Sequence, residues 1–127
     1  MTSIYKILRR DEWLTAQQAG VFLGSAVDRR DGFMHFSTDA QARETARLHF
    51  RNEADLVVLE VNAEALGAAL VWEPSRDGAL FPHLYGPLSS EHVVRVHDAP
   101  LDAEGVAVPP VAGRGRPFLA SGPSSSS

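Results

Sequence analysis

The sequence predicts an α+β fold with a largely antiparallel sheet and two main helices. Three observations predict it. Short runs rich in Val, Ile, Phe and Tyr recur along the chain, and two stretches carry apolar residues at helical spacing. The two kinds of segment follow one another without the regular strand–helix–strand rhythm of a parallel sheet. The 127 residues are one domain's worth and enough for one hydrophobic core.

Taken in order, "SIYKIL" (3–8) alternates apolar and polar residues and reads as a strand. "RRDEWLTAQQAG" follows as a helix, with Asp11 able to cap its start, an apolar stripe of Trp13, Leu14 and Ala16, and Gly20 at the stop. "VFLGSAVDRRDG" is expected to be a loop closed by the turn pair Asp31-Gly32. "FMHFS" (33–37) is a short strand. "TDAQARETARLHF" (38–50) is the second helix, opened by a capping box of Thr38 and Gln41, with Ala42, Ala46, His49 and Phe50 on one side.

"DLVVLEVN" (55–62) is almost continuously apolar and is expected at the centre of the sheet. "AEALG" is a helical turn ending at Gly67, and "ALVWEPS" (69–75) is a strand stopped by Pro74. In "LFPHLYG" (80–86), Pro82 marks an edge or a bulge. "EHVVRVHD" (91–98) is the last strand. Five of the eight prolines lie beyond Ala99, and the chain closes on "SGPSSSS". Residues 1–98 are therefore expected to be one globular domain and 99–127 a flexible tail, with Phe118 and Leu119 able to pack back on the body.

Composition excludes several functions. There is no cysteine, hence no disulfide, thiolate nucleophile or cysteine metal site. A net charge of −4 gives no general attraction to nucleic acid. The N-terminus lacks the apolar core of a secretion signal, and no run reaches the roughly 18 apolar residues of a membrane span. A soluble, cytoplasmic, monomeric protein is the expectation. No GxGxxG, Walker-type loop or GxSxG elbow is present. The only imaginable metal set, His35 and His83 with Glu73 or Glu60, lacks compact ligand spacing, so no metal is expected.

The stretches "GFMHFST" and "LFPHLYG" carry the chemistry. Strand side chains alternate, so Phe33, His35 and Ser37 share one face, and Phe81, His83 and Tyr85 share another. If both faces line one cleft, they make an aromatic-walled pocket with two imidazoles and the hydroxyls of Ser37, Thr38 and Tyr85, the composition of a small-molecule site. Thr38 opens a helix, whose free N–H groups suit an anion. His35 and His83 are the candidate catalytic groups, and Phe81 and Tyr85 the rings on which a flat ligand would stack. Glu73 and Arg76 in "WEPSRDG" complete the binding set, Arg76 as an anion clamp. Each feature also has a plainer reading: buried histidines satisfied in place, a Thr38 that only caps, and Glu73 and Arg76 paired on a surface turn.

The segments "IYKIL", "DGFMHFST", "DLVVLEVN", "WEPSRDGALFPHLYGPL" and "HVVRV", in this order, resemble the domain of unknown function 952 family of small bacterial proteins. The likeness runs from about Ile4 to Val96. That family is distantly similar in fold to the ADP-ribosyltransferase superfamily, which implies a split sheet with NAD, or a related ADP-ribosyl compound, held in the cleft between its halves. The resemblance makes Lys6 a ligand-binding residue, where family members more often carry His; a lysine there can hold phosphate as a point charge. No Glu stands in "FPHLYG", as many of those transferases require; His83 or Tyr85 takes that place and Glu73 is the nearest carboxylate. The implied function is a transferase acting on NAD or a related nucleotide. The alternative is a non-enzymatic module that binds a small ligand or peptide and uses its histidines structurally.

Overall fold

The apolar run Leu56–Asn62 decides the centre of the fold. In the computed structural model, which describes residues 2–74 and 78–106, it forms strand β4 and is buried from Leu56 to Val61. In chain order the elements are β1 (Ser3–Arg9), α1 (Arg10–Ala19), β2 (Val21–Phe22), α2 (Ala26–Asp31), β3 (Met34–His35), α3 (Asp39–His49), β4, a 3₁₀ turn (Ala63–Ala69), β5 (Leu70–Pro74), β6 (Leu80–Leu84), β7 (Leu88–Ser89), a second 3₁₀ turn (Ser90–His92) and β8 (Val93–Ala99). The protein is α+β, and every strand pair is antiparallel.

Three small sheets result, ordered β1-β4-β8, β3-β6-β5 and β2-β7. The two three-stranded sheets are joined by one bridge. Tyr5 N–H donates to the Ser37 carbonyl and Ser37 N–H to the Tyr5 carbonyl, both at 2.8 Å. Alternation along β4 feeds two cores. Val57, Leu59 and Val61 pack with Ile4, Leu8, Trp13, Phe22, Met34, Phe36, Leu84 and Leu88. Leu56 and Val58 pack with Tyr5, Ile7, Ala46, Ala99 and Val106 on the side covered by α3.

The capping box of α3 forms as its residues dictate: Gln41 N–H donates to Thr38 Oγ1 at 3.2 Å, and Thr38 N–H to Gln41 Oε1 at 3.0 Å. Gly20 ends α1 in the left-handed region (φ 81°), where a side chain would be strained. Several expectations are corrected. Helix α1 begins two residues early; Arg9, not Asp11, is its cap residue, its N–H donating to Glu12 Oε1 at 3.2 Å, so Asp11 lies inside the first turn. Leu14 is exposed, and the buried stripe is Trp13 and Ala16.

The stretch 21–32 is not a loop: it holds β2, which pairs with β7, and the helix α2. Ser25 N–H donates to Asp28 Oδ2 at 2.9 Å, and Gly32 (φ 86°) closes that helix. The strand expected over 33–37 has a ladder only at Met34–His35. Pro82 lies in the central strand β6, not at an edge. Phe36 N–H donates to its carbonyl at 3.0 Å, so its ring nitrogen, which has no proton to give, also faces the β3 side, where the two-residue ladder ends. Beyond residue 98 the described chain continues, with Ala99 in β8 and Val106 buried.

Glu60 interrupts the apolar run of β4. Ser3 Oγ donates to its Oε2 at 2.8 Å, His97 Nε2 to its Oε1 at 3.1 Å and Arg95 Nη1 to its Oε2 at 3.3 Å. Burial alone would raise this carboxyl; the His97, Ser3 and Arg95 donors outweigh burial and hold it below the ordinary glutamate value. Glu60→Ala is expected to cost about 1.5–3 kcal/mol at neutral pH, the range for hydrogen bonds to a charged group. Because the folded value is depressed, this contribution is complete above the unfolded glutamate value of about 4.3 and fades as pH falls through the folded one. Urea titrations of both proteins between pH 7 and 3 check it: the gap should stay constant, then narrow in acid.

Candidate functional site

The register of β3 on β6 sets the site. His35 pairs directly with His83 across the ladder, so both imidazoles stand on the same face. Their ring centroids are 5.6 Å apart and the planes meet at 71°. Phe33 joins them: its ring stacks on His83 at 4.1 Å, lies 4.7 Å from His35 and 5.4 Å from Tyr85.

His35 is built into an ionic network on α2. Its Nδ1 lies 2.6 Å from Asp28 Oδ1 and its Nε2 3.0 Å from Asp31 Oδ2. Asp28 is buried and also receives Lys6 Nζ, at 2.8 Å from Oδ2 and 3.1 Å from Oδ1. The His35 N–H donates to Asp28 Oδ1 at 3.1 Å, and Lys6 Nζ donates to the His35 carbonyl at 2.9 Å. Burial works to raise the Asp28 carboxyl, but the His35 hydrogen bond and the Lys6 ammonium outweigh it and hold Asp28 well below the usual carboxylate range. Burial pushes the Lys6 ammonium below its ordinary value, with Asp28 opposing.

His83 has a different setting. It is buried, and its Nδ1 donates to Glu73 Oε1 at 2.7 Å. The Tyr85 hydroxyl donates to the same oxygen at 2.9 Å. Those two donors, His83 first, hold the Glu73 carboxyl below its ordinary value, while Glu73 raises the Tyr85 hydroxyl. Neighbouring strands create the contact: Val71 opposes His83 and Glu73 opposes Phe81 across β5 and β6, so Glu73 and His83 are diagonal on one face.

Beside the Tyr5–Ser37 joint lies a cleft of about 590 Å³, within the range of small-molecule sites. Tyr5, Ile7, Phe36, Phe50 and Phe81 supply apolar wall, and Arg9, Glu12, Arg30, Asp31 and Glu53 bring charge. Of the residues singled out by sequence, Lys6, His35, Ser37, Phe81 and His83 line it. Glu73 bonds to His83 and Tyr85 to Glu73, neither of them lining the cleft, and Thr38 is committed to its cap. Ser37 Oγ shares a hydrogen bond with Thr45 Oγ1 at 2.9 Å. Lys6 is not a free point charge for phosphate, because Asp28 and the His35 carbonyl hold its ammonium. Arg76 lies outside the described residues.

Sequence reading missed Asp28 and Asp31. The signal was there: Ser25-x-x-Asp28 is a capping-box pattern immediately before the Asp31-Gly32 stop. His49 also lines the cleft, although its sequence context gave no hint of it. Among the described residues, no three His, Asp or Glu side chains are placed to hold a metal ion, and no helix is long and apolar enough to cross a membrane.

The family described as "Protein of unknown function (DUF952)" matches residues 7–96. The chain is similar to protein CC0527 from Caulobacter crescentus. Against its X-ray crystal structure the identity is 57% and the TM-score 0.82, over 84% of this chain and 93% of that one. Against its solution NMR structure the identity is again 57% and the TM-score 0.76, over 84% and 91% of the two chains. No curated protein matches the chain.

Proposed function

We propose, from the premise that this chain belongs to the family described as "Protein of unknown function (DUF952)", that its cleft binds a nucleotide-like small molecule, NAD or a related ADP-ribosyl compound, and acts on it through the His35–His83 pair. One observation carries the reading. Two imidazoles from separate strands meet at one cleft, and each Nδ1 is held by a carboxylate, Asp28 for His35 and Glu73 for His83. A ring fixed on one nitrogen by a carboxylate is the arrangement that orients an imidazole for acid–base work. Phe81 and Tyr5 offer flat surface for a base or nicotinamide ring, and Arg9 and Arg30 stand where they could meet a diphosphate. The reading places the chain, as a cytoplasmic monomer, with transferases of the ADP-ribosyltransferase-like kind.

The test is titration with NAD, ADP-ribose and mononucleotides, followed by ligand-observed NMR and by thermal melting. A ligand at a hundredfold its Kd adds about 2.7 kcal/mol of stability, so a clear rise in Tm is expected. No response to any of them at millimolar concentration overturns the assignment.

A second reading is favoured by the burial of His83 and its stacking on Phe33. In it the protein is a non-enzymatic binding module and the histidines are structural. The His35→Ala/His83→Ala double variant separates the two. Loss of several kcal/mol of stability with ligand binding intact supports the module; loss of binding in a folded variant supports the enzyme.

A further inference from the structure

The two imidazoles are not equivalent. Both ring nitrogens of His35 lie against carboxylate oxygens, Asp28 Oδ1 at 2.6 Å and Asp31 Oδ2 at 3.0 Å. A carboxylate oxygen therefore stands against each ring nitrogen of His35, and neither nitrogen is open to a ligand group. His83 is bound on one side only. Its Nδ1 donates to Glu73 Oε1, and its Nε2 takes no hydrogen bond among the described residues, while the ring lines the cleft. With the proton on Nδ1, the neutral ring has its lone pair on Nε2.

Building on the proposed enzymatic reading, we infer that His83 alone is the proton acceptor of this cleft, with Glu73 as its positioning residue and His35 closed off by Asp28 and Asp31. Glu73 sets the tautomer by accepting from Nδ1, and the Tyr85 hydroxyl at 2.9 Å keeps that same oxygen in place. The ligand group served is one with a removable proton, a hydroxyl or an N–H. Its proton passes to His83 Nε2, the bonding pair stays on the ligand oxygen or nitrogen, and the Nδ1 proton stays with Glu73.

Two measurements on the full chain test the assignment without any ligand, so they fail or succeed independently of NAD binding. The first is labelling with diethyl pyrocarbonate, mapped by mass spectrometry. An unprotonated ring nitrogen takes the ethoxyformyl group and the ring's own N–H proton leaves with the released ethyl carbonate. His83 should label several-fold faster than His35. Equal or faster labelling of His35 overturns the assignment, and so does a His83 that never labels in the folded chain, because a sealed ring cannot serve the cleft.

The second is ¹⁵N NMR of the imidazole rings. His83 should be the Nδ1–H tautomer in the wild type. It should stay so in Glu73→Gln, whose amide oxygen still accepts, and should shift toward Nε2–H in Glu73→Leu. The same tautomer in all three proteins would reduce Glu73 to a structural neighbour and overturn its positioning role.

Discussion

Asp28→Ala is expected to destabilise the protein by about 3–5 kcal/mol, the cost of leaving one member of a buried ion pair without its partner. The side chains of Lys6 and Asp28 are only 5% and 3% exposed. Removing the carboxylate strands the Lys6 ammonium and also leaves the N–H groups of Ser25 and His35 without their acceptor. Helix α2 then loses the side chain that ties it to β1 and β3. Lys6→Met should cost a similar amount for the mirror-image reason. The double variant Lys6→Met/Asp28→Leu should cost less than the sum of the two, because the uncompensated charge disappears; the two backbone N–H groups still go unpaired, so it will not return to wild-type stability. Equilibrium urea unfolding of the four proteins forms the cycle.

The pH dependence has a definite sign. The folded Asp28 value is depressed below the unfolded aspartate value of about 3.9, so its contribution is complete at neutral pH. It is lost only as pH falls through the folded value, in strong acid. The gap between wild type and Asp28→Ala should therefore hold constant from pH 7 down to about pH 5. A gap that closes already near neutrality, or an Asp28→Ala cost below about 1 kcal/mol, the level of an exposed pair, would show that this ion pair is not the anchor of α2.

What sequence could and could not reveal follows the range of the interactions. Strand β4 was legible because six consecutive buried positions, all but Glu60 apolar, leave an almost continuous apolar run, and α3 because Thr38 and Gln41 cap within four residues. Helix α2 was not. It is six residues long and offers no apolar stripe, and its one buried side chain is an aspartate whose lysine partner is 22 residues away. Local patterning says nothing about such a pair. Pro82 misled for a related reason: the rule that confines proline to edges assumes a full-length neighbour, and β3 pairs for only two residues. For the site, alternation correctly put Phe33 and His35 on one face and His83 and Tyr85 on another. That the faces meet, with His35 opposite His83, depends on a register between strands almost fifty positions apart in sequence. The attachment of Glu73 to His83 depends in the same way on the β5–β6 pairing.

Leu59→Ala is the second large effect, and it should differ from Asp28→Ala in kind. Leu59 is fully buried in β4, opposite Lys6 on β1 and Val96 on β8, with its side chain in the larger core. Truncation removes apolar contact and leaves a cavity that the flanking strands, tied by ladders on both sides, cannot readily close. The expected loss is about 2–5 kcal/mol. For a domain of this size each kcal/mol is worth about 4–8 °C in Tm, so calorimetry will register it directly. The matched control is Leu14→Ala: Leu14 is 51% exposed, and a change within about 0.5 kcal/mol is expected. The loss in Leu59→Ala is apolar, so its gap from wild type should be flat with pH even in acid, where the Asp28 gap closes. A Leu59→Ala gap that narrows in acid would mean that this leucine shields the neighbouring Lys6–Asp28 pair from water, joining the core and the charged floor of the cleft into one energetic unit. A cost below about 1 kcal/mol would instead mean that the strands collapse around the missing side chain, against the close packing expected of a protein interior.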